Sequence, residues 1–135
     1  LATHLTYDDF GRETGRMVYK GNETLYTLSQ TCFETGHVET RRLEDARSDL
    51  LRQESFQYDE YDRLIDYQCQ GPQSPANEKG LQLQCQSFVF GSYDNLIQVT
   101  SVFQDESQNV ANYLYNAQDV IRLTRTTNTH PSYDT

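Results

Sequence analysis

Paired carboxylates are the first residues in this 135-residue chain that could do chemistry. Asp8/Asp9, Glu44/Asp45 and Asp59/Asp62 could supply the acid and base of a glycoside hydrolysis, which needs two carboxyl groups at a set separation across one bond. Each pair also lies among turn-forming residues, where Asp bonds its own backbone and stays solvated, and the turn reading is adopted. A serine nucleophile of the elbow type needs Gly-x-Ser-x-Gly, which does not occur. A glycine-rich phosphate loop is also missing. His4, His37 and His130 are scattered, and Cys32, Cys69 and Cys85 lack metal-site spacing. The expectation is therefore no enzyme, no catalytic residue, no metal and no cofactor. Three buried or half-buried thiols are expected. A Cys69–Cys85 disulfide stays open for an oxidising compartment, because both would lie on strands flanking one loop.

What repeats is a turn led by an aromatic residue. Phe56-Gln57-Tyr58-Asp59-Glu60-Tyr61-Asp62-Arg63-Leu64-Ile65-Asp66-Tyr67 reads as a strand, a tight turn and a returning strand. Tyr7-Asp8-Asp9-Phe10-Gly11-Arg12 aligns with Tyr58 to Arg63, and Phe90-Gly91-Ser92-Tyr93-Asp94-Asn95 and Tyr115-Asn116-Ala117-Gln118-Asp119-Val120 follow the same plan. Four residues after the aromatic stands Gly11, Asp62, Asp94 or Asp119, residue types that tolerate the positive φ that closes a hairpin. The intervals of 51, 32 and 25 residues exclude a fixed-length solenoid and fit a meander of hairpins.

Net charge is −9, with 20 acids against 11 bases, which disfavours nucleic acid or an anionic membrane as partner. No apolar run reaches the ~18 residues of a membrane span, and no signal peptide is visible. Leu, Ile, Val and Phe make up only about a fifth of the chain, near the ~20% below which chains stay disordered. Ten Tyr and six Phe offset that, since aromatics bury large areas and suit sheets. A thin core with aromatic ladders results.

Strands are expected at Ala2–Tyr7, Thr14–Lys20, Thr24–Glu34, His37–Leu43, Leu50–Tyr58, Arg63–Cys69, Asn95–Phe103, Val110–Tyr115 and Val120–Thr127, with a further strand over Leu81 to Val89. In that strand Leu81, Leu83, Cys85 and Val89 alternate with Gln82, Gln84 and Gln86, as one dry and one wet face would. Arg41–Gln53 reads two ways. Leu43, Ala46, Arg47, Leu50 and Leu51 have helical spacing, but the flanking repeats favour a long acidic hairpin loop at Glu44–Asp49. Gly71 to Gly80 is a loop with two prolines, and Asp105 to Asn109 a polar turn. The domain expected is 1–127, with a loose tail at 128–135. Asn22-Glu23-Thr24 has the form of a glycosylation sequon, which in a bacterial cytosolic protein would be only a turn.

Tyr-Asp-x-x-Gly-Arg, at Tyr7 to Arg12, resembles the YD repeat of Rhs proteins. The run from Arg42 to Thr127 is most similar to the Rhs-containing C component of bacterial insecticidal toxin complexes. Leu50-Leu51-Arg52, Phe56-Gln57-Tyr58-Asp59, Arg63-Leu64 and Cys69-Gln70-Gly71-Pro72 carry that likeness, with Tyr93-Asp94-Asn95-Leu96, Leu123-Thr124-Arg125 and Thr129-His130-Pro131. Only the first copy keeps both Gly and Arg. The resemblance implies an all-β antiparallel meander forming a twisted sheet, a slice of a larger hollow shell that encloses a C-terminal toxin. It implies pairing with neighbouring strands of a longer polypeptide, to which a first residue Leu1 also points, and association with other toxin-complex components. Self-association through sheet edges would follow in an isolated slice. Localisation would be bacterial, made in the cytoplasm and exported or released in the complex. The family's self-cleaving Asp-Pro-rich motif has no match, since none of Pro72, Pro75 and Pro131 follows Asp. Rhs proteins are also described as carbohydrate-binding, and Tyr61, Tyr67, Tyr93 and Tyr113 are the tyrosines that could stack on sugars. The reading preferred for Tyr7, Tyr58, Tyr67, Tyr113 and Tyr115 is cross-strand ladders.

Overall fold

A computed structural model describes residues 1–133. Among them are ten strands and no helix: β1 (Ala2–Tyr7), β2 (Glu13–Lys20), β3 (Glu23–Cys32), β4 (Val38–Asp45), β5 (Leu50–Tyr58), β6 (Leu64–Gln70), β7 (Leu83–Phe90), β8 (Leu96–Phe103), β9 (Gln108–Tyr115) and β10 (Leu123–Thr127). Sheet order equals chain order, and the strands run antiparallel, so the expected all-β meander is what forms. The two-way segment Arg41–Gln53 is a hairpin. Arg42 pairs with Gln53 and Arg41 with Glu54 across β4 and β5, leaving only a tight turn where a long acidic loop is expected.

The chain divides into two compact units: Leu1–Phe56 with Cys69–Ser74, and Gln57–Gln68 with Pro75–Thr135. A sheet whose strands meet only their neighbours has no single centre, so its contacts separate into blocks.

In the first unit the apolar filling is sparse, with Val18 and Cys69 its buried apolar side chains. Part of the stabilising contact is ionic. Buried Glu54 lies 3.2 Å from Arg52 Nε and 4.0 Å from the cross-strand Arg41, whose guanidinium stacks 5.7 Å from the Phe56 ring. Gly71, at φ 109, lets the 71–74 segment lie against β5. A Cβ there would come 2.5 Å from the Leu51 carbonyl oxygen, which accepts from Gln73 N at 2.8 Å. Only glycine takes this path without strain.

The second unit is better packed. Val99, Ser101 and Phe103 point inward along β8 with Tyr67, Leu83 and Ala111, and Phe103 is the most deeply buried. The single dry face expected on β7 does not hold: Leu83 is 7% exposed and Val89 46%. A bulge at Gln84 is the reason. Leu83 opposes Phe103 but Cys85 opposes Val102, and one extra residue swaps which side chains face in. All three cysteines are free thiols. Cys85 opposes Gln68 across β6 and β7.

The tail expected to be loose is anchored over 128–133, with Asp134 and Thr135 outside the described residues. Buried Asn109 accepts from the N–H groups of Thr129 and His130, both at 3.0 Å, and donates to Asn128 Oδ1 at 3.0 Å. His130 then packs edge-on against Phe103, with ring centroids 5.4 Å apart. Its Nδ1 takes the Ser132 N–H at 3.1 Å, and its Nε2 lies 3.0 Å from Ser107 Oγ. Composition hid this because one buried amide, and not an apolar stripe, supplies the anchor.

Candidate functional site

The element that recurs is a three-residue loop. Its first residue donates its N–H to the carbonyl four residues on, and the fourth residue donates back to the first. Both bonds measure 2.8–3.1 Å where the loop opens at Asp8, Phe33, Asp45, Asp59, Asn77, Gly91 and Phe103. The fourth residue is at positive φ each time: Gly11, Gly36, Ser48, Asp62, Gly80, Asp94 and Glu106. This is the type I turn closed by a left-handed residue that joins antiparallel strands.

Three of the four copies read from the sequence fold this way. The fourth differs. From Asn116 the loop closes only at Arg122, and Asp119 is not left-handed, because two extra residues spread the reversal. Four further copies escaped the sequence reading because no aromatic precedes them, Cys32, Glu44, Ala76 and Val102 standing in that place. Asn77 followed by Gly80 was a usable signal, an Asx residue three before glycine.

Within a loop the opening side chain does part of the backbone's work. Asp8 Oδ1 accepts from Phe10 N and Arg12 N at 2.9 and 3.0 Å, and Asp59 Oδ1 from Tyr61 N and Arg63 N at the same distances. Asp45 and Asn77 cap their loops likewise. The second oxygens of Asp8 and Asp59 pair with arginine, Arg12 Nε at 2.7 Å and Arg63 Nε at 2.8 Å. Each guanidinium lies 5.1 Å from the ring at the loop's apex, Phe10 or Tyr61. The Arg12 N–H and guanidinium hold the Asp8 carboxyl below the usual carboxylate range. At Asp59 burial pushes the other way, and the Arg63 N–H and guanidinium outweigh it. The bond to Asp59 in turn raises Arg63.

Each arginine then reaches a second loop. Arg12 Nη1 donates to the Phe33 carbonyl at 2.9 Å. Arg63 Nη1 donates to Asp94 Oδ1 at 2.7 Å, and its guanidinium also stacks 4.8 Å from Phe90. Asn95 Nδ2 continues the series to the Val120 carbonyl at 3.3 Å. Loops one hairpin apart are thus clasped side chain to loop.

The carboxylate pairs are turn parts: Asp8, Asp45 and Asp59 cap, Asp62 is left-handed, and Glu44 bonds Arg42 Nε at 2.6 Å. Among the described residues no group of three or more His, Cys, Asp or Glu could hold a metal. In the strand register Tyr7 opposes Glu13, Tyr113 opposes Thr126, Tyr115 opposes Leu123 and Tyr67 opposes Gln86. Tyr115 donates its hydroxyl to the Leu96 carbonyl at 2.6 Å. Tyr58 closes β5 directly before its loop. Of the tyrosines considered for sugar stacking, Tyr67 is buried and Tyr113 half-buried, while Tyr61 and Tyr93 are exposed loop apexes.

Fold and loops together define a class: an antiparallel hairpin meander whose turns are capped by Asx residues and clasped by arginine. No family model and no curated protein sequence matches the chain. Solved structures do. A chain of the Tc holotoxin pore of Photorhabdus luminescens, a TccC3 mutant, superposes with TM-score 0.70 at 14% identity over 95% of this chain. Chains of the TcdB2-TccC3-TEV and TcdB2-TccC3-Cdc42 crystal structures give 0.69 at 13% over 95% and 0.62 at 12% over 98%. This chain spans only 7–8% of the length of those it matches. The shared property is the fold. No described helix is long and apolar enough to cross a membrane.

Proposed function

We propose that the chain is a non-catalytic structural segment of an Rhs/YD-repeat toxin-complex protein, adding strands to the wall of a hollow shell around a C-terminal toxin. The observation that carries this reading is the clasp. Arg12 and Arg63 each spend their hydrogen bonds on fixing one loop and tying it to the next, which is the work of a wall. The fold shared with toxin-complex chains supports it. By this reading the chain's partners are neighbouring strands of the same polypeptide and other toxin-complex components, and it is exported or released with them. The test is protease protection in the full polypeptide. Arg12→Ala combined with Arg63→Ala should expose the C-terminal segment to protease, while the unsubstituted polypeptide keeps it protected. Equal digestion with and without the clasps counts against the wall.

A carbohydrate-binding module is the second reading, favoured by exposed Tyr61 and Tyr93. Burial of Tyr67 removes one of its platforms. A silent glycan array would dispose of it, and a Tyr61-dependent signal would restore it.

A further inference from the structure

Turn geometry does not dictate the third residue of these loops. Thr35, Arg47, Lys79 and Asp105 fill that place in four of them, as expected for an exposed apex. Phe10, Tyr61 and Tyr93 fill it in the other three and stand 84%, 70% and 67% exposed. Phe10 and Tyr61 cover the guanidinium of their own loop. Tyr93 has none to cover, since Asn95 stands where the others have arginine.

Within the second unit the apolar apexes share one end of the strands. Tyr61, Tyr93 and Ile121 (79% exposed) belong to the β5–β6, β7–β8 and β9–β10 connections, which a meander places at the same end. The connections at the opposite end carry Lys79 and Asp105 at their apexes. The bonds from Arg63 to Asp94 and from Asn95 to Val120 hold the three apolar loops in a row. Single exposed apolar residues are ordinary, but a contiguous row of them rimmed by polar residues marks a protein contact. The charge on that row is mainly negative. Glu60 and Asp62 flank Tyr61, Asp94 follows Tyr93 with its side chain 81% exposed, and Asp119 stands two before Ile121, with Arg122 the one cation beside Arg63. Arg63 is already engaged by two carboxylates.

We propose that the row Tyr61–Tyr93–Ile121 docks a partner protein segment that presents apolar side chains flanked by lysine or arginine. The apolar residues would pack on the rings and on Ile121, and the cations would meet the carboxylates and the ring faces. This goes beyond the shell reading and does not depend on it. NMR of the full chain with synthetic peptides tests it. A peptide alternating Lys and Leu should shift the Tyr61 and Tyr93 ring signals and the Ile121 methyl. A Glu/Leu peptide and a Lys/Ser peptide of equal length should each bind at least tenfold more weakly. Tyr93→Ser and Ile121→Ser should each weaken the Lys/Leu peptide about fivefold or more and leave the strand amide spectrum unchanged. Equal binding of the Lys/Ser peptide would mean charge alone, and shifts away from the row would mean another site. Shifts that follow protein concentration alone would make the occupant a second copy, and shifts caused by oligosaccharides in place of peptide would make it a sugar. Any of these four overturns the proposal.

Discussion

Replacing Asn109 by alanine should release the tail and little else. Its carboxamide makes three hydrogen bonds to residues 128–130, two accepted and one donated, all at 3.0 Å. At about 1 kcal/mol net per bond, the anchor is worth about 3 kcal/mol. The tail can leave without the sheet opening, so the cost of the substitution is capped by the free energy of docking the tail. By the rule of 1.4 kcal/mol per tenfold, amide protection at Thr129 and His130 should drop about a hundredfold. Hydrogen exchange resolved to single amides measures this, with the β8 amides of Val99 to Phe103 as internal reference, since those should keep their protection. Two results refute the reasoning. If Thr129 and His130 stay protected within about threefold, the tail's other contacts, His130 against Phe103 and Ser107 among them, hold it without Asn109. If β8 loses as much protection as the tail, Asn109 is a global core residue.

Phe103→Ala should cost about 3–5 kcal/mol in urea unfolding, because the most deeply buried side chain is deleted. Glu106→Gly should stabilise by about 1 kcal/mol, since Glu106 is held at φ 70 where a β-carbon is unfavourable, and thermal melting reads this directly. Gly71→Ala should destabilise by more than about 1 kcal/mol, through both its φ of 109° and the clash with Leu51, and denaturant unfolding checks it. The carboxyls of Asp8 and Asp59 titrate lower in the fold than in the open chain, so their contribution is complete above the unfolded carboxylate range and lost as pH falls through the folded value. Asp8→Asn with Asp59→Asn should therefore flatten the acid limb of a stability–pH curve and change nothing in its slope near neutrality.

Much of the fold could be read from the sequence because the signals were local. Strand β1 and strand β5 fall at their expected bounds, and Gly11, Asp62 and Asp94 take the left-handed places assigned to them. The aromatic leader was a poor guide to the rest. The loops at Asp45 and Phe103 use Ser48 and Glu106 in the left-handed place, residues no propensity would choose, because the paired strands on either side impose the conformation. The facing of Val89 was hidden for a related reason. A bulge at Gln84 leaves no mark in an alternating pattern, yet reverses everything after it. The tail escaped because its anchor, Asn109, lies nearly twenty positions upstream in a polar stretch. Tertiary hydrogen bonds of that span have no sequence periodicity to betray them.

Most of the loops here close through atoms only four positions apart, and each strand meets just the one before and the one after. Such a chain need not wait for its far end. Hairpins can zip in the order in which the ribosome releases them, each new strand finding an edge already in place. The longer reach from Arg63 to Asp94 would then act as a late latch, made only once the loop between β7 and β8 has emerged.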